Sequence, residues 1–141
     1  MARNQTHIDA PPEAVWRVLE DPFAYPRWVV GTDRTVSADP DFPAPGSVFD
    51  VHVAFGHVDQ TKVVELEPGR KIVLDAAARI LGPARVTIET RSNGDGTDLT
   101  IIEDPHGKAA PLKLLPPVHL VIRLRNAEGL RRLRRIVGER A

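Results

Sequence analysis

The chain has no cysteine, which removes disulfide staples, thiolate nucleophiles and cysteine-ligated zinc or iron–sulfur clusters from consideration. Long apolar runs are missing as well. Stretches such as Ile72–Leu74 and Leu120–Ile122 fall far short of the roughly 20 residues that span a bilayer, so membrane insertion is not expected. The first residues, Met1 to His7, carry no apolar core of the kind a secretory signal has, and the expected location is the cytoplasm. Aromatics make up only 5% of the 141 residues, while 42% are hydrophobic and 27% charged. Those proportions describe one globular domain over 1–141, and a chain of this length buries roughly 68–70% of the surface it exposes unfolded.

An excess of one charge is also lacking, with 19 basic and 19 acidic residues. Their placement is uneven. The segment from His119 to Ala141 holds seven arginines against Glu128 and Glu139, a net +5, so the first 118 residues carry −5. No aromatic residue is interleaved with those arginines, as a nucleic-acid reader would usually require, and no nucleic-acid partner is expected. The arginines read first as the solvated face of a helix, with a phosphate-binding patch or a surface for a protein partner as the alternatives.

Asp9 as a cap, Pro11 and Pro12 in a starting turn and Glu13 just inside it predict a first helix carrying Ala14, Val15, Val18 and Leu19 at helical spacing, with Trp16 beside them. Asp21-Pro22 ends it. A second short turn over Phe23 to Trp28 would bring Phe23, Tyr25 and Trp28 to the core, before Gly31 and the proline-rich Asp39–Gly46 break regular structure. From Ser47 the period becomes two. Phe49, Val51, Val53 and Phe55 alternate with Val48, Asp50, His52 and Ala54, as in a strand with one covered face. Further strands are predicted over Lys62–Glu67, Lys71–Arg79, Arg85–Arg91 and Leu99–Glu103, joined at Pro68-Gly69 and at the hairpin signal Asn93-Gly94-Asp95-Gly96. A last helix, about Val118 to Val137, has an apolar stripe of Leu120, Leu124, Ala127, Leu130, Leu133 and Val137, weakened at Gly129. One strand, two short helices, about six antiparallel strands and a long C-terminal helix make an α+β fold whose sheet must curl around the helix stripe.

Ile8-Asp9-Ala10-Pro11-Pro12-Glu13-Ala14-Val15-Trp16-Arg17-Val18-Leu19-Glu20-Asp21-Pro22, then Tyr25 and Trp28, then Leu66–Ile72, Gly96–Thr100 and Asn126–Leu133 resemble the START-like, Bet v 1-like superfamily over almost the whole chain. The resemblance is closest to its bacterial polyketide cyclase/dehydrase and lipid-transport branch. It implies a helix-grip fold, with a cavity between the curled sheet and the C-terminal helix that holds lipids, polyketides, steroids or other apolar molecules. Some members of the superfamily cyclise or dehydrate a polyketide; others only carry or sense a ligand. A likeness of fold sets no reaction by itself.

The residues expected to line such an interior are Phe49, Val51, Val53, Phe55, Leu74, Val86, Ile88, Leu99, Ile101, Leu120 and Leu124. Glu103 shares parity with Leu99 and Ile101, which places a carboxyl near one end of the cavity. It is the candidate acid or base of a cyclase-type reaction, or else the partner of a nearby arginine. His52, Asp75 and Arg79 fall on the opposite parity and are expected to face solvent. His7, His52, His57, His106 and His119 show no zinc-protease spacing, and neither a metal nor a cofactor is expected. Residues Asp104–Pro117 place Ala109, Ala110, Leu112, Leu114 and Leu115 before the last helix, where they would form either a lid or an anchor for the helix start. Ala76-Ala77-Ala78 would leave room for a ligand or allow close approach of that helix. The expected function is binding or transport of a hydrophobic or aromatic molecule by a monomer or homodimer, with a polyketide cyclase/dehydrase as the alternative.

Overall fold

Short turns between alternating segments leave neighbouring strands no option but antiparallel pairing. The structure, a computed structural model, describes residues 2–53, 56–77, 83–105 and 115–140. Its elements run β1 (Ala2–Ile8), α1 (Pro12–Leu19), α2 (Tyr25–Trp28), β2 (Thr32–Ala38), β3 (Val48–Val53), β4 (Val58–Glu67), β5 (Lys71–Ala77), β6 (Ala84–Asn93), β7 (Gly96–Pro105) and α3 (Pro116–Arg140). The strands form one seven-stranded sheet in the order β1-β7-β6-β5-β4-β3-β2. Every neighbouring pair is antiparallel. Gly69 and Gly94 take φ of 74° and 62° in two of the turns, a region that glycine enters without steric cost. Register shifts at Val63/Glu65 on β4, and at Thr32/Arg34 and Thr35/Ser37 on β2, bend those strands and curl the sheet.

β1 and β2 occupy opposite edges, so the chain between them must cross the sheet, and it does so as α1 and α2. The start of α1 differs from expectation. Pro11 is its cap and its carbonyl accepts from the Ala14 N–H at 3.0 Å, whereas Asp9 lies outside the helix beside His7 Nε2 at 3.3 Å. Val15, Trp16, Val18 and Leu19 are buried, as are Tyr25 and Trp28 on α2. Phe23 is not: it is 59% exposed, because its N–H is tied to the Asp21 carboxylate at 3.0 Å in a turn that carries the ring outward. β2 occupies Thr32–Ala38, where the sequence predicts no regular structure. Its two register shifts give an inward position at every third residue and erase the alternation that marks a strand.

The largest departure concerns α3. Its buried residues are Ile122, Asn126, Leu130, Leu133, Ile136 and Val137, so the predicted stripe holds from Leu130 onward and fails before it. Leu120 and Leu124 are 54% and 62% exposed. Each lies two residues from Ile122, about 200° around a helix with 3.6 residues per turn. Two residues that do not read as core explain the phase. Asn126 turns inward to a buried carboxylate, and Gly129 turns inward because α2 leaves it no room: a β-carbon there would lie 2.9 Å from the Trp28 carbonyl oxygen.

Candidate functional site

The register lines up inward side chains in rungs across the concave face of the sheet. One rung runs Asn4, Ile101, Ile88, Ile72 and Leu66 from β1 to β4. The next runs Ala2, Glu103, Val86, Leu74 and Val63. A third, nearer the ends of β5 and β7, holds Ala84, Ala76, Thr61 and Phe49. Of the residues expected to line an interior, Phe49, Val51, Leu74, Ile88, Leu99 and Ile101 are buried, and Val53 and Val86 are part-buried against the same cluster. Leu120 and Leu124 turn away from the sheet, for the reason of helix phase just given. Phe55 lies outside the described residues, as do Arg79, His106 and 106–114 of the expected lid.

Glu103 is 6% exposed, in a rung otherwise made of Ala2, Val86, Leu74 and Val63. A carboxylate removed from water to that degree needs partners. The Arg125 guanidinium donates to its Oε1 at 2.8 Å and the Asn126 amide nitrogen at 3.4 Å. Glu103 is therefore an inward carboxyl, as its parity predicts, and it is paired with an arginine. The partner comes from α3, 22 residues on in sequence, and only part of the Arg125 side chain reaches solvent. Beside this pair, Asn4 on β1 donates from Nδ2 to the Arg123 carbonyl at 3.0 Å, which ties the edge strand to α3. Sequence reasoning missed Asn4, Arg125 and Asn126. An asparagine at a helical core position was the available signal, since such a residue must find a polar partner inside.

Two buried side-chain atoms have no hydrogen-bond partner among the described residues, Asn4 Oδ1 and Trp28 Nε1. Trp28 belongs to an aromatic group in which Tyr25 contacts Trp28 and Phe49 at ring-centroid distances of 5.2 and 5.0 Å. Phe42 closes the group edge-on to Phe49 at 5.1 Å. The Tyr25 hydroxyl donates to the Leu19 carbonyl at 2.7 Å. Burial, and after it the negative charges of Glu20 and Asp21, push its ionisation well above the ordinary tyrosine range.

The remaining candidates sit on the outside. His52 Nδ1 lies 3.1 Å from the Asp33 carboxylate. Asp75 accepts two hydrogen bonds from the Arg85 guanidinium at 2.9 and 3.1 Å, which raises the arginine's already high pKa. Among the described residues no group of three or more His, Cys, Asp or Glu is placed to hold a metal ion. No described helix is long and apolar enough to cross a membrane. A surface depression of about 290 Å³ lies near the β4–β5 turn, lined by Pro12, Glu13, Trp16, Arg17, Glu20 and Gly69. The indole N–H of Trp16 does not serve that depression, because it donates inward to the Thr90 hydroxyl at 2.8 Å.

Solved structures share this architecture. DynU16, described as a putative protein in the dynemicin biosynthetic locus, superposes with a TM-score of 0.74 at 17% identity over 97% of this chain, which spans only 46% of that protein. MLL2253 from Mesorhizobium loti gives a TM-score of 0.73 at 17% identity, covering 99% of this chain and 98% of its own. Ara h 8.0201 gives 0.71 at 13% identity over 97% and 96%. At such identities the likeness establishes the fold alone, a Bet v 1-like helix grip. No curated protein matches the sequence. A family model described as polyketide cyclase/dehydrase and lipid transport matches residues 2–138, and the chain belongs to that family.

Proposed function

We propose that the protein binds a hydrophobic or aromatic small molecule, lipid-like or polyketide-like, between the concave face of the sheet and α3. The observation that carries this reading is the unequal packing along α3. Its second half sets Leu130, Leu133, Ile136 and Val137 against the core, whereas the first half offers Ile122 and Asn126 as its buried side chains. At the end of the sheet where Glu103 meets that first half, the inward positions are small or part-buried: Ala76, Ala84, Thr61, Val86 and Val53. Apolar side chains on a concave surface that the helix leaves thinly covered suit an apolar guest, and a few inward polar groups can set its orientation. Glu103 and Asn4 are the polar groups at that place.

A cyclase or dehydrase acting in the same interior would need Glu103 as its acid or base. The hydrogen bonds from Arg125 and Asn126 engage that carboxylate already, which favours binding over catalysis. Native mass spectrometry beside denaturing mass spectrometry tests the proposal, after incubation with fatty acids, aromatic polyketides and sterols. An adduct that survives native conditions and leaves on unfolding is the expected result. Val86→Trp should abolish it while cooperative unfolding is retained. Absence of any adduct, or one unaffected by Val86→Trp and by Ala76→Phe, refutes the placement.

A further inference from the structure

The outer face of α3 changes character along its length. Pro117, Leu120, Leu124 and Ala127 lie on the side away from Ile122, with Val121 at its margin, and all five are exposed, Val121 and Leu124 more than 60% so. Ten steps of 1.5 Å from Pro117 to Ala127 make this an apolar track about 15 Å long. The same line continues into Arg131, Arg134 and Arg135, also exposed, and Arg123 stands beside the track. Arg123 and Arg134 have no ionic partner among the described residues, and Glu128 is held by both Arg131 and Arg132. The apolar half lies at the end of the sheet where β7 ends and β1 begins, since the Arg123 carbonyl and the Arg125 guanidinium meet Asn4 and Glu103 there.

Charge and size decide what fits this face. The C-terminal segment carries +5, and with Arg123 and Arg134 free of an ionic partner among the described residues this face suits a negative partner. Five apolar side chains on a face otherwise made of arginines would bring like charges together in a second copy of the chain, which argues against one. They are enough for a helix lying in a lipid interface, where apolar side chains enter by about 5–10 Å and arginines stay with the headgroups. We propose that the outer face of α3 docks on an anionic lipid surface, with Leu120, Val121 and Leu124 entering the acyl boundary and Arg131, Arg134 and Arg135 on the phosphates. The inference is independent of what the interior holds.

Vesicle flotation tests it, with phosphatidylcholine alone and with phosphatidylcholine mixed with phosphatidylglycerol. The protein should float only with the anionic vesicles and dissociate as salt rises. Each arginine at such a surface contributes about a fivefold gain, so Arg131→Gln with Arg134→Gln should weaken binding on the order of thirtyfold. Leu120→Ser with Leu124→Ser should weaken it at least tenfold. Both pairs are exposed, and an unchanged urea midpoint verifies the fold. Failure to float, equal binding to neutral vesicles, or binding indifferent to either pair overturns the proposal. So does a dimer in size-exclusion chromatography that the leucine variant converts to monomer, since the face would then belong to a second copy.

Discussion

Replacing Gly129 with alanine sets two effects of known sign against each other. In an open helix the change is worth up to about 1 kcal/mol, because glycine loses more backbone freedom on folding. At this position the added β-carbon would lie 2.9 Å from the Trp28 carbonyl oxygen and 3.9 Å from its ring. The nearest atom belongs to the backbone, so no rotamer change relieves the clash and either α2 or α3 must shift. Overpacking of that kind costs about 1–3 kcal/mol. The net expectation is a loss of about 1 kcal/mol. Gly138 supplies the control on the same helix, since a β-carbon there meets nothing within 4 Å. Gly138→Ala keeps the propensity gain, reduced to about 0.5 kcal/mol by its place in the last turn. Urea unfolding followed by tryptophan fluorescence should therefore move the midpoint down for Gly129→Ala and up for Gly138→Ala. If Gly129→Ala stabilises as much as Gly138→Ala, the close approach of α3 to α2 is wrong, and with it the account of the helix phase.

The other consequences concern ionisable groups. Tyr25 is the single tyrosine, so tyrosinate absorbance reports it alone. Its folded pKa is raised from the ordinary 10.0, so its contribution to stability is complete below that value and is lost as the pH rises above it. Tyrosinate should appear in alkali only together with unfolding, and an ionisation midpoint near 10 in the folded protein would contradict the burial. Glu103→Gln leaves the Arg125 guanidinium without its counter-ion. Because Arg125 is partly exposed, the cost falls below the 3–5 kcal/mol of a fully buried pair, at roughly 1–3 kcal/mol. An unchanged urea midpoint would remove the pair from the account of stability. Ligand capture that persists in this variant, with reduced stability, is the outcome the binding reading requires.

What could be read from the sequence was what is decided locally. The alternation at Phe49 and Val51, the hairpin glycine at Gly94 and the helical spacing of Val15, Val18 and Leu19 each follow from neighbours within a few residues, and the structure places them accordingly. Glu103 was found by the same parity. Its partners were not, since Arg125 and Asn126 acquire meaning only once folding brings α3 within reach of β7. β2 was hidden because its register shifts replace the two-residue period with one of three.

The phase of α3 was set from a distance too. Leucines at 120 and 124 extend a helical stripe as well as any residue could, yet an asparagine and a glycine take the inner positions because Glu103 needs donors and the Trp28 carbonyl needs space. A single rotation then has two effects. It removes two leucines from the inner face, where they would have packed toward Val86 and Ala76, and it places them outside in line with Arg131 and Arg134. The room proposed for a guest and the surface proposed for a lipid interface are thus consequences of one choice. Rephasing the helix by moving leucine to 126 and 129 would fill the first, strip the second and leave the Glu103 carboxylate with Arg125 alone.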